Sequence, residues 1–246
     1  MDNIFKIIDE MKNKLDKLRP LSEETIKSIQ ESILLEWTYN SNAIEGNTLT
    51  LLETKVVLEG ITIGGKTLRE HLEVINHKDA ILYLEEIIRN KEPFSEWQIK
   101  NIHNLVLKGI NDKYAGNYRD KQVLISGALH IPPAPYLLKE KMEEFVNWYN
   151  SDAQLLHPVE RAALVHVIFV GIHPFIDGNG RTSRLLLNLE LMKNGFPPIV
   201  IKNINRLEYY SALDKAHTTG NNQDFINLVL KETEEMLNRY IALCDI

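Results

Sequence analysis

His173-Pro174-Phe175-Ile176-Asp177-Gly178-Asn179-Gly180-Arg181-Thr182-Ser183-Arg184 is the stretch around which the chain is organised. A histidine comes first and a carboxylate follows four residues later. A Gly-Asn-Gly turn comes next, then two arginines three residues apart. Apolar, helix-like runs flank it, Leu164 to Ile172 before and Leu185 to Met192 after. The pattern predicts a polar loop between two buried helices, the second starting at the glycines.

The residue types fit phosphate chemistry. Gly178 and Gly180 let the backbone turn with φ > 0 and approach a ligand closely. Successive N–H groups at a helix start form an anion cradle. Arg181 and Arg184 add charge-assisted contacts to phosphate oxygens, and at i, i+3 they share a helix face. Asp177 suits Mg²⁺, a hard cation that takes oxygen ligands and shares phosphate oxygens. His173 is then the candidate general base. A capped helix with a core histidine and solvated arginines would explain any one of these residues, but not the set.

This stretch resembles the signature of the Fic family, His-Pro-Phe-x-Asp-Gly-Asn-Gly-Arg-x-x-Arg, at every specified position. The resemblance implies transfer of AMP from ATP to a protein hydroxyl, with Mg²⁺ on Asp177. It implies phosphates held by the Gly178–Gly180 backbone and Asn179, with Arg181 and Arg184 at the β and γ groups. His173 would take the proton of a Ser, Thr or Tyr hydroxyl on a target protein or on the protein itself.

Upstream, Ser41-Asn42-Ala43-Ile44-Glu45-Gly46-Asn47 reads as a helix end, because Gly46 and Asn47 suit a left-handed cap. Glu45 is misplaced there for the helix dipole. Either it is solvated or it has a cationic partner elsewhere. The stretch resembles the Fic inhibitory motif, filled by Ser41, Glu45 and Gly46. That resemblance implies a Glu45–Arg184 pair at the γ-phosphate position and the class II arrangement, with the inhibitory helix N-terminal in the same chain.

Composition narrows the alternatives. The 246 residues are 44% hydrophobic and carry a net charge of −6. A sizeable core is affordable, and no basic block points to nucleic acid. The single cysteine, Cys244, excludes an intramolecular disulfide and fits a reducing compartment. Met1-Asp2-Asn3-Ile4-Phe5-Lys6 lacks the pattern of a signal peptide, and no apolar run reaches a membrane span. The expectation is a cytoplasmic protein without a membrane partner.

The rest reads as helices. Ile4, Ile7, Ile8, Met11, Leu15 and Leu18 form one stripe, closed by Pro20. A second helix starts after Ser22, with Ile26, Ile29, Ile33 and Trp37 inward. Thr50–Glu53, Thr67–Glu70 and Ser95–Gln98 have capping-box spacing. The helix after Thr67 is expected to bury Leu68, Leu72, Ile75, Leu82 and Ile87 or their neighbours. His71, His77 and His166 lack ligand spacing and read as structural. Val123-Leu124-Ile125-Ser126-Gly127, followed by Pro132, Pro133 and Pro135, reads as an exposed hairpin or surface loop. It resembles the Fic flap, which docks the target. Tyr209 and Tyr210 resemble the family's adenine-side pair, whereas His217 stands where close relatives tend to have asparagine.

The expected fold is all-α, a Fic-type helical bundle with one β-hairpin flap. The expected division is an extension over residues 1–94, a catalytic domain over 95–230 and a helix end over 231–246. The chain resembles the catalytic portion of the metazoan endoplasmic-reticulum Fic AMPylases, whose relatives often use a homodimer to control the inhibitory helix. Three other readings stay open: AMP removal using Glu45, transfer of another nucleotide or group, and a non-catalytic peptide-binding module.

Overall fold

The computed structural model describes residues 2–20 and 22–244. Ten α-helices are found among them: α1 (Asp2–Lys17), α2 (Glu23–Ile44), α3 (Leu51–Leu58), α4 (Leu68–Arg89), α5 (Glu96–Leu107), α6 (Leu138–Asn150), α7 (Pro158–Ile172), α8 (Asn179–Lys193), α9 (Arg206–Thr219) and α10 (Gln223–Cys244). None is long and apolar enough to cross a membrane.

The α7–α8 pair is the centre of the bundle. Pro158 occupies the first turn of α7, where its missing N–H leaves no bond unmade. Val159, Ala162, Ala163, Val165 and Phe169 are all fully buried, as expected of a helix apolar on every side. α10 packs on α7, α1 on α10, and α4 and α5 on α8. One apolar core runs from Ile8 to Ile241 and includes residues on both sides of the expected boundary at residue 94. Phe175, 0% exposed, sits in it beneath the polar loop. Truncating a buried Phe to Ala costs about 3–5 kcal/mol, so Phe175→Ala would loosen the loop from below.

The capping boxes at Thr50–Glu53 and Thr67–Glu70 form with both reciprocal bonds. At Ser95 only one arm forms. The Gln98 amide turns instead to the Ser95 hydroxyl at 2.9 Å and to Glu92 at 3.0 Å.

α4 corrects the expected register. Leu68 is 74% exposed, and Ile75 and Leu82 also face outward. Val74, His77, Ala80, Ile81, Leu84 and Ile87 face in, together with Glu73 and Asn76. The polar pair sits inward because each has work there. Asn76 Nδ2 donates to the Lys108 carbonyl at 2.7 Å, capping α5, and Glu73 reaches the signature loop.

The flap also differs from expectation. Residues 121–134 form no strand pair; Ala128 N donates to Ile125 O at 3.2 Å around Gly127, and the rest is irregular. Prolines cannot donate to a ladder, and side chains hold the segment instead. Arg119 donates to the carbonyls of Lys121 and Pro133, Gln122 to Pro132, and His130 Nε2 to Gly171. Asp214 on α9 accepts from Leu129 N at 2.8 Å.

Candidate active site

His173 ends α7 in the left-handed region, at φ 49° and ψ 58°. That conformation is uncommon for a residue with a side chain and is found where surroundings over-determine it. Arg119 does so here, donating from Nε to the His173 carbonyl at 2.9 Å and from its backbone N to the Pro174 carbonyl at 3.0 Å. The imidazole Nδ1 lies 3.3 Å from the Val170 carbonyl. A carbonyl only accepts, so Nδ1 carries the proton and Nε2 is left with a free lone pair. Burial pushes the imidazolium pKa down to about 4. His173 is therefore a neutral base at pH 7.

Gly178 precedes α8 at φ 76°. A Cβ there would lie 3.2 Å from Val106 Cγ1 and 3.3 Å from His103 Nε2. No side chain caps this end of α8, so its first N–H groups stay available to an anion. Asn179 is engaged within the loop. Its side chain accepts from Phe175 N at 3.0 Å and donates to Phe175 O at 2.8 Å. The amide is buried and closes the turn.

The upstream motif reaches the site across 139 residues of sequence. Arg184 Nη2 donates to Glu45 Oε1 at 2.8 Å and to the Ser41 carbonyl at 2.7 Å. Its Nε donates to Ser41 Oγ at 3.0 Å, and its Nη1 to the Tyr209 hydroxyl at 3.1 Å. Burial disfavours the guanidinium charge, but Tyr209 and Glu45 outweigh that and raise its pKa further. Glu45 also overlies the start of α8, because a Cβ on Gly180 would collide with its Oε1. The glycine is needed for this approach.

Asp177 Oδ1 accepts from Gly178 N at 2.6 Å, and its Oδ2 accepts from Arg69 Nη2 at 2.6 Å. Burial alone would raise its pKa; Arg181, the Gly178 amide and Arg69 outweigh it and keep the carboxylate charged. Arg181, 2% exposed, lies 3.4 Å from both Asp177 and Glu73. Its Nε and Nη1 are buried without hydrogen bonds, an arrangement that an anionic ligand would complete. No cluster of three or more His, Cys, Asp or Glu placed to hold a metal is found among the described residues.

The two tyrosines take different places. Tyr209 is 1% exposed. Its hydroxyl lies 3.0 Å from His166 Nε2 and receives the Arg184 bond. It orients Arg184 from below. Tyr210 is 40% exposed, and its hydroxyl donates to the Ile44 carbonyl at 3.1 Å. His217 donates from Nε2 to the Val167 carbonyl at 2.9 Å and packs on His130. In the flap, Leu124 is 78% exposed. Sequence reasoning missed Arg69, Glu73 and His103. His103 stacks on Phe175 with ring centroids 3.5 Å apart and holds the Asp177 carbonyl through Nε2 at 2.9 Å.

Comparison with known proteins gives the family. Residues 93–191 match the Fic/DOC family. The protein adenylyltransferase Fic of Nematostella vectensis is 41% identical over 238 residues, 96% of this chain and 55% of that protein. The protein adenylyltransferase fic-1 of Caenorhabditis elegans is 38% identical over 92% of this chain and 45% of its own length. The chain thus spans about half the length of the curated relatives it matches. A crystallised Fic domain containing signaling protein from Bacteroides thetaiotaomicron superposes with a TM-score of 0.88, at 31% identity, over 97% of each chain. Fic-1 of C. elegans (aa134 - 508) gives a TM-score of 0.87 at 34% identity, over 98% of this chain and 72% of that one. The chain belongs to the Fic/DOC family.

Proposed function

We propose that this chain is an autoinhibited protein adenylyltransferase, moving AMP from ATP to a Ser, Thr or Tyr hydroxyl of a target protein, itself included. The relatives named protein adenylyltransferase support that reaction. The observation that carries the autoinhibition is the Arg184 guanidinium, bound at once by Ser41, Glu45 and Tyr209. An arginine so engaged is withheld from a phosphate until Glu45 leaves.

In the transfer, His173 Nε2 takes the proton of the target hydroxyl. The freed oxygen bonds to the α-phosphorus as the bond to the β-phosphate bridging oxygen breaks, and pyrophosphate leaves. The α8 N-terminus, Arg181 and a released Arg184 hold the phosphate oxygens, and fixed donors of this kind carry most of the rate. Asp177 fits Mg²⁺: it is charged, 37% exposed, and offers oxygen to a hard cation. Bound there, the ion would neutralise phosphate charge. The Asp177 turn, braced by His103, keeps that carboxylate beside the cradle.

The test is α-labelled ATP added to a cell lysate with the protein or its Glu45→Gly variant. Weak label transfer by the natural chain and strong transfer by the variant are expected, both abolished by His173→Ala. Equal transfer with and without Glu45 would remove the autoinhibition; none in either would remove the reaction.

A second reading, removal of AMP from a modified protein, draws on the place of Glu45. Its carboxylate, 32% exposed and above the start of α8, could hold a water against the bound group. Release of AMP from a labelled target by the natural chain but not by Glu45→Gly would select this direction.

A further inference from the structure

Four charged side chains alternate in a closed ring at the Asp177 end of the site. Arg69 Nη2 meets Asp177 at 2.6 Å; Asp177 meets Arg181 at 3.4 Å; Arg181 meets Glu73 at 3.4 Å; Glu73 meets Arg69 Nε at 3.1 Å. Two members come from α4 and two from the signature loop and helix. Arg181 and Glu73 are 2% and 9% exposed, whereas Arg69 and Asp177 are 56% and 37% exposed. The ring therefore opens at Arg69.

We propose that Arg69 is a gate on cation binding: its guanidinium competes with a divalent cation for Asp177 Oδ2. This rests on reading Asp177 as the Mg²⁺ ligand. Oδ1 is already engaged by the Gly178 amide and Arg181, so Oδ2 is the oxygen open to an ion, and Arg69 sits on it. A Mg²⁺–oxygen bond is about 2.1 Å long. A guanidinium does not deprotonate in proteins. Ion and arginine would thus be like charges crowded on one oxygen, and one must leave. Arg69 can leave, because it is half in solvent and its Nε keeps Glu73 as an anchor.

The same helix holds Arg181 through Glu73, so α4 stands to the Asp177–Arg181 end as α2 stands to Arg184. The two contacts differ in strength. Arg184 is buried with four hydrogen bonds, while a half-exposed pair such as Arg69–Asp177 is screened by solvent and contributes little. Arg69 tunes cation affinity where Glu45 blocks the phosphate.

The test measures cation binding without turnover. Mn²⁺, as a spectroscopic stand-in for Mg²⁺, is titrated into the full Glu45→Gly chain saturated with α,β-methylene-ATP, which cannot transfer AMP. The free ion is read by electron paramagnetic resonance. Arg69→Ala should tighten Mn²⁺ binding roughly two- to fivefold, with the difference shrinking at high salt. Asp177→Asn should weaken it strongly. Unchanged or weaker binding in Arg69→Ala, with loss in Asp177→Asn, overturns the gate and leaves the cation site standing. Undiminished binding in Asp177→Asn overturns both.

Discussion

The Tyr210 hydroxyl donates to the carbonyl oxygen of Ile44 at 3.1 Å, tying α9 to the last residue before Glu45. The bond adds a second tie at the end of α2, separate from those of Arg184 to Ser41 and Glu45. Tyr210→Phe removes it without changing the ring. A hydrogen bond contributes about 0.5–1.5 kcal/mol net, so basal AMP transfer at saturating ATP should rise roughly two- to tenfold. In a Glu45→Gly background, where nothing remains to be released, the same substitution should give no further rise. A gain that persists there would mean that Tyr210 acts elsewhere than through α2.

Gly180 and Glu45 should be energetically coupled. Alanine is the better helix former by up to about 1 kcal/mol, and Gly180 lies in the first turn of α8. Yet a Cβ at that position runs into Glu45 Oε1 and lies 3.2 Å from Arg184 Nη1. Gly180→Ala should therefore be destabilising in the natural chain and neutral or stabilising once Glu45 is glycine. Urea unfolding of the four chains gives the coupling, expected at about 1 kcal/mol or more. Additive effects would place Glu45 away from the start of α8.

What could be read in advance was whatever one segment carries alone. The signature loop, the two reciprocal capping boxes and the Gly46 turn depend on neighbours in sequence, and all formed. Glu45 was half legible: a carboxylate at a helix C-terminus is misplaced for the dipole, which leaves it solvated or paired, and Arg184 as its partner came from the resemblance to the inhibitory motif. α4 was misread because its stripe was judged by apolar residues. Glu73 and Asn76 turn inward for partners at Arg181 and Lys108, which no periodicity reveals. Tyr209 and Tyr210 were placed together, but adjacent residues on a helix point in directions about 100° apart. One went under Arg184 and the other to Ile44. His103 carried no local signal, because its effect on the site depends on folding the Asp177 carbonyl against it.

Acid should unfold the protein through its histidines before its carboxylates. Burial lowers the pKa of His103 and His173 to about 4, and of His77 and His166 well below the ordinary value of 6.5. A group whose folded pKa is depressed binds fewer protons in the folded chain than in the unfolded one. Stability from these four is thus complete above pH 6.5 and is lost as pH falls from 6.5 towards 4. Each adds a slope of up to about 1.4 kcal/mol per pH unit. The carboxylates held low, Asp177 and Glu70, lose their contribution only at lower pH. Urea midpoints should fall between pH 6.5 and 5, less steeply in His77→Gln. A flat profile across that window would show the imidazoles to be solvated.

His103 should matter to the site without touching substrate. Its Nε2 faces the Asp177 carbonyl, which only accepts, so Nε2 carries the proton. Its Nδ1 then accepts from Gly116 N at 2.9 Å. One neutral imidazole thus clamps the Asp177 turn to the loop after α5 while stacking on Phe175. His103→Phe keeps the stacking and strips both bonds, leaving a donor and an acceptor unmatched. Each such loss costs about 1–3 kcal/mol when buried, so unfolding free energy should drop by about 2–6 kcal/mol. Label transfer in the Glu45→Gly background should fall at temperatures where the variant is still folded, because Asp177 is no longer held. His103→Gln, which keeps one donor and one acceptor, should recover part of both. Wild-type transfer by a folded His103→Phe chain would show that the turn holds its shape without the clamp.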